Sequence, residues 1–95
     1  MTATVTPRQN ANVLRSLTEW LAEHDGHLPN GTLTARSRPP RLPEVHIYAS
    51  EYDAIGRARE QFGPWNYRGD RYAEWHAADG VELTVYLARD EEWDA

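Results

Sequence analysis

Ninety-five residues with 15 acidic and 10 basic side chains, four histidines and no cysteine provide for one domain around one core. The lack of cysteine excludes disulfides, thiolate zinc sites and a thiol nucleophile, and since every basic residue is arginine there is no lysine for Schiff-base chemistry. The net charge of −5 is uneven: residues 1–42 carry five arginines against three acids and residues 43–95 five against twelve, which opposes general phosphate binding by the second part. The longest apolar runs are too short to span a bilayer, and Met1–Thr6 has neither the basic nor the apolar stretch of a signal peptide, so a cytoplasmic protein with no membrane partner is expected.

Thr6-Pro7-Arg8-Gln9 fits a capping box with proline at the first helical position. Val13, Leu14, Leu17, Trp20 and Leu21 then recur at helical spacing, and Gly26 predicts a helix end near His24 or Asp25. Residues 27–43 read as an irregular connection rich in Pro and Arg, with Thr32–Arg36 as a weak edge strand. Glu44–Ala49 alternates cleanly, with Val45, Ile47 and Ala49 on one face and His46 and Tyr48 on the other. Ser50 is placed to cap a second helix carrying Ile55, Ala58 and Phe62 inward, stopped by Gly63-Pro64. Three strands are expected to follow, over Pro64–Arg68, Arg71–Ala77 and Val81–Ala88.

The last hairpin admits a choice of register. A two-residue turn at Asp79-Gly80 would bury Glu74 beside Val85; a three-residue loop Ala78-Asp79-Gly80 with left-handed Gly80 puts Trp75 opposite Leu83 and Ala73 opposite Val85. The second collects the large apolar side chains on one face and is the expected register. It leaves Tyr72 opposite Tyr86, Glu74 opposite Thr84 and His76 opposite Glu82 on the outer face. A two-residue turn at Gly69-Asp70 would extend the row by pairing Tyr67 with Tyr72 and Trp65 with Glu74, at the cost of turning Asn66 inward.

The expected fold is a single α+β domain over 1–95, a two-layer sandwich with two helices on one face of a four- to five-stranded, mainly antiparallel sheet, in the order α-(β)-β-α-β-β-β. Residues 1–6 and 90–95 are expected to be flexible. This order, with Trp20–His24, His27-Leu28-Pro29, Val45–Tyr48, Gly63-Pro64-Trp65 and Val81–Ala88, resembles small proteins found widely in actinobacterial and phage genomes. The resemblance implies a phage or mobile-element setting and no particular activity.

His24-Asp25-Gly26-His27 offers two imidazoles, but a helix end followed by glycine turns them apart and no fourth ligand is specified, so no metal or cofactor is expected. His46, His76, Glu74 and Glu82 are the nearest approach to an acid–base set; on an open sheet without a nucleophile motif they read as ordinary cross-strand pairs, and no catalytic residue is assigned. Arg36, Arg38 and Arg41 bracket two prolines and could touch phosphates, although pairing with the acidic strands is the expected state. The expected function is a non-enzymatic protein-binding module, in one form a modulator or inhibitor of a host nucleic-acid-handling protein with a basic groove. Its binding residues would be Tyr48, Tyr67, Tyr72, Glu74, His76, Glu82, Tyr86 and Trp93. The alternative is a single-strand or RNA-binding module using the same aromatics. A small enzyme is a third reading, and a two-fold dimer through the aromatic face is left open.

Overall fold

A computed structural model describes residues 6–77 and 79–93. Helix α1 (Pro7–Glu23) is followed by strands β1 (Gly31–Arg36) and β2 (Glu44–Ala49), helix α2 (Ala54–Phe62), and strands β3 (Tyr67–Arg68), β4 (Tyr72–His76) and β5 (Glu82–Tyr86). The strands form one sheet in the order β1-β2-β5-β4-β3, with every neighbour antiparallel except β2 and β5, which run parallel. The connection between the parallel pair carries α2, as a crossover requires, and then the β3–β4 hairpin. This is the α+β architecture expected from the sequence.

α1 starts as its sequence dictates. The Thr6 hydroxyl accepts from the Gln9 amide at 3.2 Å and the Gln9 side chain accepts from the Thr6 amide at 2.9 Å, with Pro7 following the cap. Only its second half is anchored: Leu17 and Trp20 are buried, and Leu14, on the same stripe, is 46% exposed. The Trp20 ring stacks on His24 at 4.2 Å and lies 6.1 Å from Phe62 of α2. The unanchored first half is consistent with a radius of gyration of 14.2 Å, above the roughly 12 Å of a compact chain this long.

The core lies between the helices and the middle of the sheet. Val45, Leu83 and Trp75 sit side by side across β2, β5 and β4, as do Ile47, Val85 and Ala73, and all six have essentially no exposure. Trp75 keeps its indole N–H satisfied by donating to the Gly63 carbonyl at 2.7 Å. The β4–β5 register is the expected one at every pair, and Gly80 has φ +85° in the connecting loop, the left-handed geometry that glycine adopts without strain.

Two local expectations are corrected. Ser50 is not the α2 cap: its amide donates to the Asn30 carbonyl at 2.9 Å, extending the β1–β2 ladder by one pair, and the helix starts after Asp53 (φ 62°) with no side-chain cap. The Asp53 amide is instead satisfied from across the chain by Glu91 at 2.7 Å. The strand expected over Pro64–Arg68 contracts to Tyr67–Arg68, and Tyr67 lies opposite Glu74, not Tyr72, because the turn centres on Asp70-Arg71 with the Gly69 amide donating to the Tyr72 carbonyl. This two-residue shift preserves the faces. Asn66 precedes the shortened strand and is exposed, and its side-chain oxygen accepts from the His76 amide at 2.7 Å.

Of the segments expected to be flexible, residues 1–5 and 94–95 lie outside the described residues, and Trp93 packs beside the β3–β4 hairpin. Arg71 donates to the carbonyls of Ala88, Arg89 and Glu91 at 2.6–3.2 Å, and Glu91 accepts from the Ala88 and Asp53 amides. Leu83→Ala is expected to lower unfolding stability by about 2–5 kcal/mol and Leu14→Ala by less than about 0.5 kcal/mol. Glu91→Ala is expected to cost about 1–3 kcal/mol, with Glu92→Ala near zero. Urea titration of the four variants measures each.

Candidate protein-interaction face

Both helices lie against one face of the sheet, so the side chains of the opposite face meet solvent. Alternation along each strand assigns that outer face, and the registers order it into rows. The first row runs Thr32, Tyr48, Tyr86, Tyr72 from β1 to β4. The second runs Thr34, His46, Thr84, Glu74, Tyr67, and the third Arg36, Glu44, Glu82, His76. One end of the face is thus aromatic, the other ionic, with Thr84, 6% exposed, near the middle.

The tyrosines form a continuous ladder. Tyr48 and Tyr86 stack at 4.5 Å with their rings 5° from parallel, Tyr86 meets Tyr72 at 5.5 Å, and Tyr72 meets Tyr67 diagonally at 6.0 Å. His46 adds a ring 6.2 Å from Tyr86. Tyr48 and Tyr67 stay half exposed at the two ends. Gly69 makes room for the ladder, since a Cβ there would run into the Tyr72 ring. Withdrawal from water raises the Tyr72 pKa above 10.0, with repulsion from Tyr67 and Glu74 adding to it. The same withdrawal raises Tyr86, with Tyr48, Tyr72 and Glu74 contributing.

At the ionic end, His46 lies 3.4 Å from Glu44, and His76 lies 3.9 Å from Glu82. The four groups considered for acid–base work therefore do not converge. His46 and Glu74 are separated by the whole of β5, about 10 Å at ordinary strand spacing. Among the described residues no basic side chain lies within ion-pair distance of Glu74.

Other sequence-singled residues fall elsewhere. Trp65 is not on the outer face; it packs edge-on to Trp75 at 6.5 Å and to Trp93 at 5.6 Å, with the Arg59 guanidinium 5.1 Å above it. Trp93 rounds the β3 edge: its N–H donates to the Asp70 carbonyl at 2.6 Å, Arg68 lies 3.8 Å over its ring, and it lines a cleft of about 720 Å³ with Tyr67 and Tyr72. Arg36, Arg38 and Arg41 come together around a concavity of about 50 Å³ beside Glu44. The expected pairing with the acidic strands is not formed, since among the described residues none of the three makes an ion pair. His24 is occupied by Trp20, through ring stacking and a 2.8 Å contact of Nδ1 with the Trp20 carbonyl oxygen, while His27 is exposed. Among the described residues no group of three His, Asp or Glu is arranged to hold a metal ion, and no helix is long and apolar enough to cross a membrane.

Sequence reasoning missed the Tyr48–Tyr86 stack, which depends on β2 lying beside β5. The signal for it is the helix between the two strands, which suits a parallel crossover. It also missed a groove of about 440 Å³ on the other layer, between α1 and the β4–β5 loop, lined by Val13, Trp20, Leu42 and Val81. No family model, curated protein or solved structure matches the chain.

A folded-state pKa raised above 10.0 means that the neutral phenol is favoured by folding, so the corresponding stability is full below pH 10 and is lost as pH rises through the folded values. Tyr72→Phe and Tyr86→Phe are each expected to remove phenolate absorbance that develops above pH 10 and to flatten the alkaline loss of stability. Ultraviolet titration alongside denaturation at several alkaline pH values measures both effects.

Proposed function

We propose that the protein is a non-enzymatic interaction module whose outer sheet face engages another protein, in its most concrete form a cytoplasmic modulator that occupies the basic groove of a nucleic-acid-handling enzyme, as in a phage or mobile-element setting. The observation that carries this reading is the ladder Tyr48–Tyr86–Tyr72–Tyr67 on a sheet face that neither α1 nor α2 covers. Large aromatic side chains, held in place by one another, lose little freedom on binding and dominate the energetics of protein interfaces.

Charge supports a basic partner. Glu74 adjoins the ladder, Glu44 and Glu82 stand at the far end, and arginine guanidinium groups stack on tyrosine faces while pairing with carboxylates. Four of the five arginines in the second half are engaged elsewhere: Arg57 by Glu51, Arg59 and Arg68 by indole rings, and Arg71 by backbone carbonyls. The same carboxylates oppose a phosphate backbone, which ranks a nucleic acid below a protein as occupant.

An arginine-rich peptide and a single-stranded oligonucleotide, each titrated into isotopically labelled protein, separate the two classes. The peptide is expected to shift the resonances of Tyr48, Tyr72, Tyr86 and Glu74, with affinity falling as salt rises. Replacing Tyr72 and Tyr86 together with Ala is expected to cost about 2 kcal/mol or more of binding while the domain stays folded. Salt-sensitive binding of the oligonucleotide on this face, with none of the peptide, would transfer the site to nucleic acid.

A further inference from the structure

Hydrogen bonding in an antiparallel pair alternates residue by residue. The Ser50 amide donates to the Asn30 carbonyl, and the β1–β2 register continues without a slip from Gly31 opposite Ala49 to Arg36 opposite Glu44. That sets the phase along β1. Thr32, Thr34 and Arg36 turn their backbone groups towards β2, and Gly31, Leu33 and Ala35 turn theirs away from the sheet. All three outward residues are exposed, and Leu33 keeps 44% of its surface in water although it lies beside Ile47 on the helix-facing side. Natural edge strands are guarded by charges, prolines or bulges. The stretch from Gly31 to Ala35 has no charge, no proline and no bulge.

We propose that β1 pairs with the β1 of a second copy, antiparallel about a two-fold axis at Leu33, joining two sheets into one. Backbone geometry narrows the choice of register. Outward-pointing residues must meet outward-pointing residues, and opposed residues must share a face if the sheet is to continue. An axis at Leu33 meets both conditions, placing Leu33 against the second copy's Leu33 and Gly31 against its Ala35. Charge agrees with this register. Arg36 falls opposite the second copy's Asn30, whose side-chain amide donates to Glu51 at 3.1 Å, so the basic end of each strand meets the carboxylate end of the other. Closure limits the assembly to two copies, because the opposite edge of the sheet, β3, is only two residues long. The pairing is independent of what the tyrosine ladder binds, and it leaves both ladders on the same side of the widened sheet.

The cysteine-free chain makes the test clean, since Leu33→Cys puts a single thiol on the axis. Opposed hydrogen-bonded residues have Cα atoms about 5.5 Å apart, inside the roughly 4.4–6.8 Å that a disulfide spans. Sedimentation equilibrium is expected to show the unaltered chain passing from one copy to two as concentration rises. Leu33→Cys is expected to oxidise to a covalent dimer much faster than Thr34→Cys, which lies off the axis. Leu33→Lys is expected to weaken association at least tenfold without shifting the urea midpoint measured at dilutions where the unaltered chain is a single copy. Faster crosslinking of Thr34→Cys than of Leu33→Cys would overturn the register. A single-copy mass at every concentration, or a dimer indifferent to Leu33→Lys, would overturn the pairing itself.

Discussion

The seating of β5 between β2 and β4 is the constraint from which the rest of this structure follows. Leu83 and Val85 are the points where two rows of apolar side chains cross, and both are without exposure because they have a strand on each side and the helix layer above. The side chains in those rows form the centre of this small domain's hydrophobic core. The same seating acts on the other face. Alternation along β5 sends Thr84 and Tyr86 outward, and Tyr86 can complete a ladder only because β2 brings Tyr48 to one side of it and β4 brings Tyr72 to the other.

Much of this was legible in the sequence wherever a local rule had a single solution. The Thr6–Gln9 box and Pro7 mark the start of α1, the alternation in Glu44–Ala49 marks β2, and the penalty for burying Glu74 is enough to select the register of the last hairpin. Legibility ended where competing partners were distant in the chain. Ser50 looked like a cap because nothing local showed that the Asn30 carbonyl would take its amide, and the loose end around Trp93 could not be seen to meet Arg71 and Asp70. The Gly69-Asp70 turn was misplaced by one residue because both placements keep Tyr67, Tyr72 and Glu74 on the same face, so patterning of the paired residues could not discriminate between them. Strand order was harder to read for a related reason, since the Tyr48–Tyr86 stack joins residues on strands separated by α2 and the β3–β4 hairpin, with the intervening helix as the local sign of a parallel crossover.

Arginine use divides the molecule by chemistry. In the second half, Arg57, Arg59, Arg68 and Arg71 hold together the helix layer and the chain end, through a carboxylate, two indole rings and three carbonyls. Their positive charge is thereby spent on cohesion and not on screening Glu74. In the first half, Arg36, Arg38 and Arg41 gather at one end of the β1–β2 pair, and among the described residues none of them forms an ion pair. The charge asymmetry of the chain thus becomes a spatial one, with an acidic and aromatic field across the sheet and a basic corner at its edge.

The two kinds of large aromatic ring are also sorted by layer. Trp20, Trp65 and Trp75 belong to the core side and Trp93 to its rim, while Tyr48, Tyr67, Tyr72 and Tyr86 make up the open face. The protein therefore carries two separate optical populations. Indole emission follows the integrity of the helix–sheet core and the docking of the chain end, whereas phenol absorbance follows the environment of the sheet surface. A ligand settling on the Tyr48–Tyr86 end of the ladder would leave the indole signal largely undisturbed, whereas one reaching Tyr67 and Tyr72 would enter the cleft they share with Trp93 and register there.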